Sequence, residues 1–239
     1  MQAAGGQLGQ ALRTPRAAGV AGILSALLLG TVIVLIHITI PVDPASATGW
    51  LADSSHQDTL RVALDLLPFT GILFLWFIGA VRDYVGRAED KFFATLFLGS
   101  GILFTGVLFV LAAAVGGLLS TFEASPANSA QPQLWQWGHH FALTLLASYG
   151  ARMAAVFTLS TTTIGRGLGI FPRWLTWLGY LIALVLLFAS GRDLWVELAF
   201  PVWVLAVSGY VLVTTLRPGT ALRRSRRGDL RRRDRRPPP

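Results

Sequence analysis

Residues 92–119 read FFATLFLGSGILFTGVLFVLAAAVGGLL, a run of 28 residues without a charge. As a helix rising about 1.5 Å per residue it reaches about 42 Å, more than the roughly 30 Å hydrocarbon core of a bilayer. Lipid satisfies no backbone N–H or C=O, so a chain that crosses it this way must be helical. Outward from this run the same reading repeats. Apolar stretches occur near residues 18–41, 62–82, 138–164, 174–190 and 194–216, separated by short polar segments. The expected fold is all-α, a polytopic transmembrane helical bundle with six spans over residues 18–216. Residues 1–17 are expected as a cytoplasmic N-terminal segment and 217–239 as a disordered Arg-rich cytoplasmic tail. Pro41 and Pro44 are expected to end the first span and Pro201 to bend the sixth.

Composition excludes the common alternatives. Of 239 residues, 53% are hydrophobic and only 13% are charged, against about 25% charged in an ordinary soluble domain. There is no cysteine, so disulfide scaffolds and thiolate metal sites are excluded. The net charge of +8 is local. Residues 217–239 hold ten arginines and two aspartates, while the other 216 residues hold ten basic and ten acidic groups. A neutral body offers no basic face, so the pI of 11.1 does not argue for nucleic acid.

The basic residues set an orientation. With the N-terminus inside, Arg13, Arg16, Arg82, Arg87, Lys91, Arg166, Arg173 and the ten tail arginines are cytoplasmic. Only Arg61 and Arg192 are outside, with Arg152 within a span. Seventeen against two is a positive-inside pattern, and seven against two remains without the tail. Both termini are then cytoplasmic. Ala45-Ser46-Ala47 resembles a signal-peptidase site, but the preceding apolar run exceeds the roughly 7–15 residues of a signal h-region. An uncleaved first span is expected. Its Ala18, Gly22, Ala26 and Gly30 recur every four residues and suit close helix packing, as do the glycines of 99–117.

Polar residues within the spans are the functional clues. Arg152 sits in the middle of the fourth span, where an unpaired arginine costs at least about 2.5–3.5 kcal/mol. At 100° per residue Ser148, Arg152 and Thr163 share a face. Asp65 and Glu197 each lie near the outer end of a span, within reach of a long arginine side chain. One cluster of Asp65, Arg152 and Glu197 is therefore a candidate substrate or ion site, with Ser148 and Thr163 beside it. The same cluster could equally be a structural ion pair that locks register. His139 and His140 start the fourth span and point about 100° apart, which suits interfacial anchors better than a shared metal. No catalytic residue, metal site or cofactor is implied, because no HExxH, P-loop or nucleophile elbow is present.

The strings DLLPFTGI (65–72), WFIGAVRD (76–83), EDKFF (89–93), RMAAVF (152–157), FPRWL (171–175) and WVE (195–197) resemble those of an uncharacterised six-span integral membrane protein family of high-GC bacteria. The resemblance covers most of residues 60–215. It implies a multi-pass protein of the bacterial cytoplasmic membrane and no particular chemistry.

The lipid bilayer is the first expected partner. Arg223, Arg224, Arg226, Arg227, Arg231, Arg232 and Arg233 could meet anionic headgroups, each contributing about 1 kcal/mol near the surface, or could simply hold the C-terminus inside. A membrane partner or a second copy is the other candidate, with nucleic acid the weakest. Three functions follow: a small transporter or channel-like bundle around Asp65, Arg152 and Glu197, a non-catalytic assembly or regulatory subunit, or, less favoured, a lipid-modifying membrane enzyme.

Overall fold

A computed structural model describes residues 2–39, 54–85, 91–124, 132–188 and 194–216. The elements are α1 (Gln2–Thr39), α2 (Ser54–Val85), α3 (Lys91–Ala124), α4 (Pro132–Leu143), a π-helical segment (Thr144–Gly150), α5 (Ala151–Gly167), α6 (Arg173–Phe188) and α7 (Leu194–Leu216). α4, the π-helical segment and α5 run on without a break, so the described residues form six rods. Five rods contain stretches long and apolar enough to cross a membrane; α6, with 16 residues, is shorter. α1 extends well before residue 18 into the segment expected to precede the first span. Pro68 and Pro201 stand inside α2 and α7 without ending them. Pro41, Pro44, the Ala45–Ala47 motif and the tail arginines lie outside the described residues.

The rods close into a ring. α1 packs on α2 and α7, α3 on α2 and α5, and α6 on α5 and α7. Glycines set the closest approaches. A Cβ at Gly22 of α1 would collide with Ser208 Oγ of α7 and lie 2.6 Å from the Phe77 ring of α2. One at Gly101 of α3 would lie 2.5 Å from Ile78 and 3.1 Å from Phe157. Ala18, Gly22 and Ala26 of the α1 stripe are buried, whereas Gly30 is half-buried. The α3 glycines divide: Gly101 sits in a tight crossing, but Gly99, Gly106 and Gly117 have no neighbour within 4 Å of a Cβ.

Aromatic rings fill the centre of the ring of helices. Phe157 of α5 is fully buried and stacks on Phe97 of α3 at 5.0 Å between centroids. It also meets Phe74 and Phe77 of α2 at 5.1 and 6.4 Å, and Phe200 and Trp203 of α7 at 6.1 and 6.4 Å. Phe104 of α3 closes the group, edge-on to Phe200 at 4.9 Å. Such tilted and edge-to-face pairs each add about 0.5–1.5 kcal/mol beyond area burial.

The turn from α5 to α6 is built on Gly169, the one described residue with positive φ, at 65°. Gly169 N–H bonds Arg166 O at 3.0 Å and Ile170 N–H bonds Gly165 O at 2.9 Å. This pair of bonds is a Schellman closure, which places the residue after the cap in the left-handed region and favours glycine. The Phe171 ring packs against Gly165, and α6 starts directly after Pro172.

Candidate functional site

The sequence-derived candidates fall at three places around the bundle. Arg152 is half-buried in the first turn of α5, and its Nη1 donates to the Ser148 carbonyl at 2.7 Å. Ser148 belongs to the π-helical segment, whose register is shown by the Ala151 N–H bonding Leu146 O, five residues back. A π turn inserts one extra residue, so the simple 100° wheel that aligned Ser148 with Arg152 and Thr163 does not apply across it. Thr163 lies further along α5, donating to Leu159 O at 2.8 Å and facing Tyr180 OH of α6 at 3.4 Å.

Asp65 is exposed on α2 and lines a cleft of about 650 Å³ between α2 and α3. Arg61, Pro68, Phe109, Gly116 and Ser120 line it too. Arg61 also pairs with Asp58 at 3.1 Å. Among the described residues Asp65 has no hydrogen bond or ion pair. α3, which contacts both α2 and α5, stands on the side of α2 that Asp65 faces.

Glu197 is half-buried near the start of α7 and lines two interior cavities of about 40 Å³ each. His37 of α1 lines one of them. About 10–15 Å³ accommodates a water molecule, so each cavity has room for a small number of them. Thus Asp65, Arg152 and Glu197 are not joined by ion pairs among the described residues. Arg152 donates to its own helix, and Glu197 and His37 line one cavity. The sequence reading missed His37, although a lone ionisable residue closing an apolar run is a signal for such a place. His139 and His140 lie together in α4, and the His140 side chain is exposed. Among the described residues no group of three His, Asp or Glu side chains could hold a metal.

A second polar group is buried deeper. Thr158 and Thr162 of α5 and Trp203 and Ser208 of α7 are fully buried. Among the described residues Thr158 Oγ1, Thr162 Oγ1, Trp203 Nε1 and Ser208 Oγ have no hydrogen-bond partner. Thr162 Oγ1 lies against Gly179 of α6, and Trp203 Nε1 lies 3.0 Å from where a Cβ of Gly179 would be. Their neighbours Ser160 and Thr161 differ, donating to the carbonyls of Val156 and Phe157 at 2.8 and 2.7 Å. An indole N–H can only donate, while a threonine hydroxyl accepts as well. The chemistry at hand is hydrogen bonding by buried hydroxyls and an indole N–H.

No protein family, characterised protein or solved structure that was compared matches this chain. The six-span resemblance therefore rests on its quoted strings alone.

Proposed function

We propose that this chain is a multi-pass integral membrane protein of the bacterial cytoplasmic membrane, with six spans and both termini cytoplasmic, serving as a non-catalytic assembly or regulatory subunit. Its polarity supports the membrane reading. Hydroxyls point inward at Ser25, Thr70, Ser100, Thr105, Thr158 and Ser208, while Leu27, Phe69, Trp76, Leu103, Leu181 and Phe188 face outward. A soluble domain does not expose apolar surface on this scale, and packed helices in lipid favour small and hydroxylated contacts.

The subunit reading is carried by one observation, the outward glycine face of α3. Gly99, Gly106 and Gly117 have open space where a Cβ would stand, and they share a face with exposed Ala113. In lipid a small-residue face gains most from a second helix packed closely on it. The test is the mass of the purified full-length protein in detergent. A dimer or a stoichiometric hetero-complex is expected, reduced to the single chain by Gly99→Leu/Gly106→Leu. A single chain before substitution overturns the reading.

A transporter is the second reading, favoured by Glu197 and His37 facing one cavity. Proteoliposome flux that disappears in Glu197→Gln would place it first.

A further inference from the structure

We propose that the aromatic layer centred on Phe157 is the closed gate of an axial path for water through the bundle. This rests on the membrane reading above and deepens the transporter reading, without needing the subunit role.

Three cavities lie along the bundle. The two of about 40 Å³ share Leu146 and Glu197 as walls, and one of them reaches Leu60 and Leu64 near the start of α2. A third, of about 20 Å³, lies toward the other end of α2, between Phe77, Val81 and Arg82, Thr161 of α5, and Phe171 of the α5–α6 turn. About 10–15 Å³ accommodates a water molecule, so each cavity has room for water and for no much larger solute.

Four rods place the same layer between these cavities. On α5, Ala154 lines one of the larger pair and Thr161 lines the third. Seven residues, about 10 Å of helix, separate them, and Phe157 stands in the interval. On α7, Phe200 and Val207 take the two places, with Trp203 between them. On α2, Leu67 and Phe77 do so, with Phe74 between them. On α3, Phe104 and Phe97 do so, and Gly101 between them makes room, since a Cβ there would lie 3.1 Å from the Phe157 ring. Phe74, Phe157 and Trp203 are fully buried, and the Phe157 ring meets the other two at 5.1 and 6.4 Å between centroids. The cavities are thus in line, divided by one layer of rings. An apolar constriction of this kind stops water by dewetting, because water inside it loses its hydrogen bonds. The layer's one polar group is the indole N–H of Trp203, which has no partner among the described residues and can donate to a water that crosses.

Osmotic shrinkage of proteoliposomes holding the full-length protein tests this. Phe157→Ala should pass water severalfold faster than the unsubstituted chain. Leu175→Ala, an equally buried truncation on α6 that lines none of the three cavities, should not. Equal water flux in Phe157→Ala and the unsubstituted chain overturns the gate. A second measurement leaves Phe157 in place, in case its alanine variant does not fold. The chain has no cysteine, so Ala154→Cys and Thr161→Cys can be probed singly with silver ion, a thiol reagent of about the size of water. In sealed right-side-out and inverted membrane vesicles the two should react from opposite sides, read as protection from a maleimide added after denaturation. Reaction of both from one side, or of neither, overturns the path. Release of the protein by alkaline carbonate would overturn the membrane reading itself. Proteoliposome flux that depends on Glu197 but not on Phe157 would keep the transporter reading and remove only the gate.

Discussion

Arg152 is held by its own helix: its Nη1 donates to the carbonyl of Ser148 at 2.7 Å, across the end of a π-helical segment. The extra residue of a π turn shifts the carbonyl pairing, and a guanidinium with five donors is suited to a carbonyl near such a shift. The charge is thus tied to the backbone of α4–α5 and not to a carboxylate of another rod. This changes what its removal should do.

Arg152→Met should cost about 1.5–3 kcal/mol, the value of a hydrogen bond from a charged group. Asp65→Asn should cost little, because Asp65 has no partner among the described residues. The double substitution should then be additive within about 0.5 kcal/mol. Unfolding of the four proteins in mixed detergent measures this. A coupling above about 1 kcal/mol would restore an Asp65–Arg152 pair.

The two kinds of glycine should separate by substitution. Gly22→Ala drives a methyl into Ser208 Oγ and the Phe77 ring, and overpacking of this kind costs about 1–3 kcal/mol. Ser208→Ala removes the hydroxyl and should recover part of the loss, while the Phe77 contact remains. Gly106→Ala meets nothing within 4 Å and should stabilise the isolated chain by roughly 0.5–1 kcal/mol through helix propensity. Thermal unfolding in a Gly99→Leu background, which holds the protein as a single chain, read by tryptophan fluorescence, distinguishes the two directions.

Gly169→Ala should destabilise by about 1–2 kcal/mol, because its φ of 65° places an L side chain against the backbone. Gly167→Ala, two residues earlier in α5, has open space and helical geometry and should be neutral or stabilising. Equal midpoints for the two proteins would remove the Schellman turn as the determinant of the α5–α6 connection.

The rods were legible because hydrophobic length is a property of each segment alone. The run from Phe92 to Leu119 sits within α3, and the stretch near 194–216 matches α7. What failed to show depends on neighbours. A helical wheel places Asp65 and Arg152 on faces of their own rods, but it cannot say that Asp65 turns toward α3. The π-helical segment has no compositional mark, since one inserted residue leaves TLLASYG looking like any apolar turn. Gly99, Gly101 and Gly106 look alike in sequence, and only packing shows that Gly101 alone meets Ile78 and Phe157. Nothing in the apolar run of α7 singles out Trp203 and Ser208, and their burial comes from the closure of α7 on α1, α5 and α6.

Removal of residues 217–239 should leave the orientation of the bundle unchanged. The tail holds ten of the twenty basic residues, so it dominates the net charge. Orientation, however, follows basic residues in short segments next to the spans. In the proposed orientation these still stand, without the tail, at seven inside against two outside. The chain has no cysteine, so single cysteines introduced at Ser125 and Gly167 report the two sides without background. An impermeant thiol reagent should label Ser125→Cys in intact cells, and Gly167→Cys only after permeabilisation, in the full chain and in a chain ending at Leu216 alike. Labelling of Gly167→Cys in intact cells expressing the shortened chain would mean that the tail, and not the loops, sets the topology. The same shortened chain isolates the second role considered for the arginines. Seven of them near an anionic surface contribute about 1 kcal/mol each, less than additively, and this attraction weakens within a Debye length as salt rises. Full-length protein in detergent should therefore bind vesicles containing phosphatidylglycerol more strongly than the shortened chain at 0.05 M salt, with the difference largely lost at 1 M.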